Sequence, residues 1–128
     1  MPKVTPIPEP IDFDHICPIV YALSFIGQKW KIPILWHLAD ERTLRYNELK
    51  RGVHGITNIM LTKSLQELEE HHLIHREQHD TIPPKVEYSL TERGQTLIPL
   101  LRELDAWGKS QIELDRKTDE EGCAEQRR

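Results

Sequence analysis

The chain has 128 residues and a formal net charge of −4, with 38% hydrophobic and 30% charged side chains. This length suits one domain with a real core but not two, and the sequence contains no apolar run long enough for a membrane-spanning helix. The two cysteines lie far apart, which excludes a secreted disulfide framework; the opening M-P-K-V-T-P-I-P-E-P has no signal-peptide core, so a cytoplasmic protein is expected.

Prolines at 2, 6, 8 and 10 forbid a helix over residues 1–14 and favour an extended arm. A first helix is predicted after Pro18, ending near Gly27. A second covers about Gln28 to Ala39, with Trp30, Ile34 and Leu38 on one face and Pro33 absorbed in its first turns. Thr43 to Arg45 suits a short strand and Tyr46 to Gly52 a short helix.

From Thr57 the chain reads T-N-I-M-L-T-K-S-L-Q-E-L-E-E-H-H-L-I. Leu61, Leu65 and Leu68 recur at i, i+4 and i+7 and build one apolar stripe, while Asn58, Thr62, Lys63 and Gln66 fall elsewhere on the cylinder. Thr57 is a suitable N-cap and Gly55 supplies the tight turn before it. In K-V-E-Y-S-L, Val86, Tyr88 and Leu90 alternate with Lys85, Glu87 and Ser89, the period of a half-buried strand. I-H-R-E-Q-H can pair with it across D-T-I-P-P, whose prolines lack amide donors and suit a hairpin tip. Thr91 then caps a last helical stretch to about Leu114, broken or kinked between Gln95 and Pro99 and interrupted again at Gly108. Beyond Arg116 the composition suggests a mobile polar tail.

A helix with a polar leading end followed at once by a hairpin is the outline of a winged helix-turn-helix, an α+β fold that is mainly α. Amides and hydroxyls at the front of such a helix can reach base edges in the major groove of double-stranded DNA.

The strings C-P-I-V-Y-A-L-S-F-I-G-Q-K-W-K (Cys17 to Lys31), L-R-Y-N-E-L (Leu44 to Leu49), G-I-T-N-I-M-L-T (Gly55 to Thr62) and P-P-K-V-E-Y-S-L-T-E-R-G (Pro83 to Gly94) resemble the HxlR family. These are bacterial winged-helix transcriptional regulators related in architecture to the MarR group. The resemblance implies a homodimer on operator DNA, built from a DNA-binding and dimerisation domain over 15–115 between the arm and the tail of 116–128. It also implies that a cysteine at the position of Cys17 can respond to an oxidant or a small-molecule electrophile. Many relatives carry Lys or Arg at the positions of Ile59 and Gln66, so this recognition helix is less basic than usual.

The net charge opposes DNA binding, because affinity for the duplex comes largely from neutralising phosphates. Its distribution answers part of that objection. Arg42, Arg45, Lys50, Arg51 and Lys63 face only Glu48 between residues 42 and 63, and acids outnumber bases in the tail. The residues expected to contact DNA are Arg42, Arg45, Thr57, Asn58, Thr62, Lys63, Gln66 and the wing's Lys85. Glu67, Glu69 and Glu70 read as a solvated cluster at the far end of the helix.

The first helix is apolar on nearly every face, and the last carries more leucines than one small core consumes, so a second subunit is the expected cover. Val20, Leu23, Leu101, Leu104 and Trp107 are the candidate interface residues; the rival is a compact monomer with the first helix at its centre. Cys17 precedes Pro18 and would be the N-cap of the first helix, where the helix dipole favours a thiolate and its reactivity. A small buried apolar residue is the alternative for this thiol. Cys123 stands either as a resolving partner or as an incidental surface thiol.

Seven histidines invite a metal-sensor reading, but no spacing here supplies four tetrahedral ligands. His71 and His72 fit better as partners of helix-terminal carbonyls. No nucleophile elbow, phosphate-cradling glycine loop or His-Glu-x-x-His is present, so neither an enzyme nor a cofactor is expected. A winged helix used for protein contacts or RNA remains the alternative, which a basic face would discriminate.

Overall fold

The computed structural model describes residues 11–122, with side chains from 11 to 120. Most of the proposed arm, and Cys123, therefore lie outside the described residues. The elements run α1 (Pro18–Ile26), α2 (Lys31–His37), β1 (Leu44–Arg45), α3 (Tyr46–Gly52), α4 (Asn58–Glu70), β2 (Ile74–His79), β3 (Lys85–Leu90), α5 (Glu92–Gln95) and α6 (Ile98–Gly122). The architecture is α+β, mainly helical, with a small antiparallel sheet in the order β1-β3-β2.

Residues to Thr96 form one compact unit. Its core is the side of α4 that the leucine spacing marked: Leu61, Leu65 and Leu68 are buried with Ile34 and Leu35 of α2, Leu38 just after it, and Leu49 of α3. The strand pattern closes this core from another side, with Tyr88 and Leu90 buried and Ile74 opposite Leu90 in the register. Gly55 has φ +87°, a left-handed conformation that glycine adopts without penalty. His72, at φ 62°, takes the same region between α4 and β2. At Gly94, an added methyl would collide with the carbonyl of Leu73, so α5 packs there only with a glycine.

The ends of α4 are fixed by side chains. At the front, Thr57 Oγ1 accepts from the Met60 N–H at 3.1 Å. At the back, Thr91 Oγ1 donates to the His72 carbonyl at 2.6 Å and the Arg93 guanidinium to the His71 carbonyl at 3.2 Å. The expected role of the two histidines as cationic caps is therefore taken by Thr91 and Arg93. The same Thr91 hydroxyl accepts from the Gly94 N–H at 3.0 Å, which starts α5.

From Leu97 the chain forms a second unit. The break before Pro99 occurs where its missing N–H and fixed φ require, between Gln95 and Ile98, and Pro99 then sits in the first turn of α6. Two expectations for this region fail. Gly108 does not interrupt α6, and the helix continues past Arg116 to Gly122. Ion pairs one turn apart, Asp105 with Lys109 at 3.0 Å and Glu113 with Arg116 at 3.4 Å, favour the helical state over these polar turns.

Candidate DNA-binding surface

The side of α4 opposite its leucines is open. Asn58, Ile59, Thr62, Lys63 and Gln66 are all exposed, and Ile59, Thr62, Lys63 and Gln66 share one face by their i, i+3, i+4, i+7 spacing. Thr57 is exposed as well, but its hydroxyl already serves as the cap. Helix α3 locks this face in place through a residue the sequence reasoning missed. The Tyr46 hydroxyl donates to the Asn58 carbonyl at 3.1 Å and lies 3.2 Å from both Asn58 Oδ1 and Thr62 Oγ1.

A second fixing point lies on the buried side. Lys31, at the start of α2, places its Nζ 2.8 Å from Glu67 Oε1, with side chains only 1% and 6% exposed. Glu67 is thus no part of a solvated acidic cluster. It is the anchor that holds α4 to α2, while Glu69 and Glu70 remain exposed.

The cations lie around the open face. Arg42 and Arg45 are exposed before and in β1. Arg45 and Arg51 line a recess of about 480 Å³ with Thr43, Asn47, Glu48 and Glu87. Glu48 is engaged there, accepting from the Arg45 N–H at 2.8 Å. A cleft of about 390 Å³ between α4 and the sheet is lined by Tyr46, Thr62, Leu65, Gln66, Glu69, Arg76 and Tyr88. Arg76 of β2 is the second residue the sequence reasoning missed. Only the hairpin register shows that it sits opposite Tyr88 and beside Gln66 rather than out on the wing. Lys85 is half-buried, and its Nζ is 3.9 Å from Glu87, which also holds His79 at 2.8 Å. The wing cation therefore reaches a phosphate only in competition with Glu87.

His71 closes α4 from behind. Its ring lies 4.7 Å from that of Phe25, and the Arg93 guanidinium stands 4.4 Å from the same phenyl ring. Burial, and then the positive charge of Lys31, push the His71 pKa below its usual value. A histidine depressed in the folded state takes up its proton preferentially on unfolding. Stability is therefore whole above about pH 6.5 and declines as pH falls below it. We expect His71→Gln to remove this part of the acid sensitivity, so that the variant loses less stability than wild type between pH 7.5 and 5.5. Urea unfolding of both proteins at pH 7.5 and 5.5 measures it; parallel losses would mean that His71 is not the group responsible.

Cys17 occupies the N-cap of α1, as its place before Pro18 requires, and is exposed rather than packed in the core. Ile19, Val20 and Leu23 are exposed on the helix that it starts. In α6, Leu104 and Trp107 are 46% and 64% exposed, but Leu101 is only 2% exposed within a single chain. The open apolar positions of α6 are Leu100, Leu104, Trp107, Ile112 and Leu114, and all but Ile112 follow a spacing of four, three and seven that runs along one side of a helix. Among the described residues no group of three or more His, Cys, Asp or Glu is placed to hold a metal ion, and no helix is long and apolar enough to cross a membrane.

Comparison with known proteins agrees with this architecture. Residues 25–116 match the HxlR-like helix-turn-helix family. The uncharacterized HTH-type transcriptional regulator YdzF of Bacillus subtilis (strain 168) is 50% identical over 94 residues, covering 73% of this chain and 86% of its own. Among solved structures, the redox regulator HypR in its oxidized form is 45% identical with a TM-score of 0.70, covering 73% of this chain and 96% of that one. The reduced form of the transcriptional regulator YodB from B. subtilis is 32% identical with a TM-score of 0.62, covering 72% and 90%. These relatives are transcriptional regulators and not enzymes. With its hairpin behind an open recognition helix, the chain belongs to the HxlR family of winged helix-turn-helix, DNA-binding transcriptional regulators.

Proposed function

We propose that the protein works in the cytosol as a homodimer on a pseudo-palindromic operator, with α4 in the major groove of each half-site. The observation that carries this reading is the open face of α4, which presents Lys63 and Gln66 beyond a fully packed leucine stripe. Asn58 and Thr62 border that face and Thr57 caps it. Arg42, Arg45 and Arg76, with Lys85 when Glu87 releases it, supply the phosphate contacts that fix register without reading sequence. Dimerisation follows from the exposed apolar positions of α1 (Val20, Leu23) and of α6 (Leu104, Trp107), each of which a second copy would cover.

Selection of binding sites from a random duplex library tests the reading. Enrichment of two related half-sites about one helical turn apart is expected, with affinity that falls steeply with salt. Failure to enrich any duplex, with retention of protein or RNA partners instead, would replace it by an interaction module.

Cys17 is the proposed sensing residue, supported by its exposure at the start of α1 and by likeness to a redox regulator. An adduct there, or a disulfide between subunits, would move one subunit against the other and change the spacing of the two recognition helices. A shift of about 1.4 kcal/mol in that equilibrium changes operator affinity about tenfold. Cys17→Ser is expected to keep basal binding and lose the response. Equal responses of wild type and variant to peroxide, quinone and aldehyde, read by fluorescence anisotropy, would remove Cys17 from the mechanism.

A further inference from the structure

We infer that Ile59 is a base-reading residue that packs on the 5-methyl group of a thymine, an inference that rests on the placement of α4 in the major groove. Ile59 is 78% exposed, on the same face as Lys63 and Gln66 and in the first turn of the helix, the part that lies nearest the bases in a docked recognition helix. The polar residues flanking it are already engaged within the fold. Tyr46 Oη lies 3.2 Å from Asn58 Oδ1 and 3.2 Å from Thr62 Oγ1, which draws both toward α3 and away from incoming base edges. The side chains of this face that make no hydrogen bond to Tyr46 are then one cation, one amide and one branched aliphatic.

Each has a distinct complement in the major groove. Lys63 suits the O6 and N7 acceptors of guanine, and Gln66 suits the N6 and N7 edge of adenine. Ile59 has neither donor nor acceptor, and the apolar group displayed on that groove is the thymine methyl. Cytosine at the same place would leave the side chain against a polar amino group. Recognition here works by filling a space, so it adds sequence preference without adding to the salt dependence.

The test uses the full chain and the operator enriched by selection. Each thymine is replaced in turn by deoxyuridine, which deletes only the methyl group. Wild type is expected to lose about fourfold in affinity at one symmetry-related position per half-site, the worth of one buried carbon, and roughly fifteenfold when both are replaced. Ile59→Ala removes an exposed side chain and keeps a good helix former, so it should fold normally, bind the thymine operator more weakly, and show no further loss with deoxyuridine at that position. Wild type indifferent to every replacement, or Ile59→Ala as sensitive as wild type, would overturn the inference while leaving α4 as the reading helix. Failure to enrich an operator at all would remove the DNA-binding placement itself, and the inference with it.

Discussion

Glu67→Ala is expected to cost about 3–5 kcal/mol of folding stability. The reason is what it leaves behind. Lys31 is 1% exposed and its ammonium has Glu67 at 2.8 Å, so removing the carboxylate strands a charge out of reach of water. With ordinary domains stable by about 5–15 kcal/mol, a loss of that size depopulates the folded state seriously. Replacing both partners together, as Lys31→Met with Glu67→Leu, should recover most of the loss, because an apolar pair of similar volume avoids the desolvation cost on both sides. Denaturant unfolding of the two single variants and the double variant forms a complete cycle. Single variants within about 1 kcal/mol of wild type would show that the pair is hydrated and that α4 is held by its leucines alone.

Leu104→Asp is expected to convert the proposed dimer to monomer and lower affinity for a two-half-site operator by about a hundredfold or more, since the second half-site contact no longer benefits from linkage to the first. Leu104 is central to the open stripe of Leu100, Leu104, Trp107 and Leu114, and a carboxylate there would be buried without a partner in any pairing that covers the stripe. In the isolated chain the position is 46% exposed, so helix content should be preserved. Leu23→Asp tests the exposed face of α1 independently. Sizing with light scattering reads the outcome, and a wild type that is monomeric at micromolar concentration would refute the dimer.

The amino-acid sequence by itself determined the features that depend on neighbours along the chain. Leu61, Leu65 and Leu68 marked the buried side of α4 because 3.6 residues make a turn, and alternation from Val86 to Leu90 marked β3 because strand side chains point to opposite faces. Thr57, Thr91 and Pro99 set element boundaries through single hydrogen bonds made or forbidden. The pairing of Lys85 with Glu87 was also within reach, since two residues apart on a strand share a face. Other features required the folded chain. Glu67 looks like its exposed neighbours Glu69 and Glu70 until α2 brings Lys31 against it, and no local rule connects residues so far apart. Tyr46 reaches Asn58 and Thr62 only through the angle between α3 and α4. His71 reads as a cation at a helix end, yet burial beside Phe25 and the charge of Lys31 favour its neutral form. Leu100 and Leu101 are adjacent and equally apolar, and only the folded chain distinguishes the exposed Leu100 from the buried Leu101.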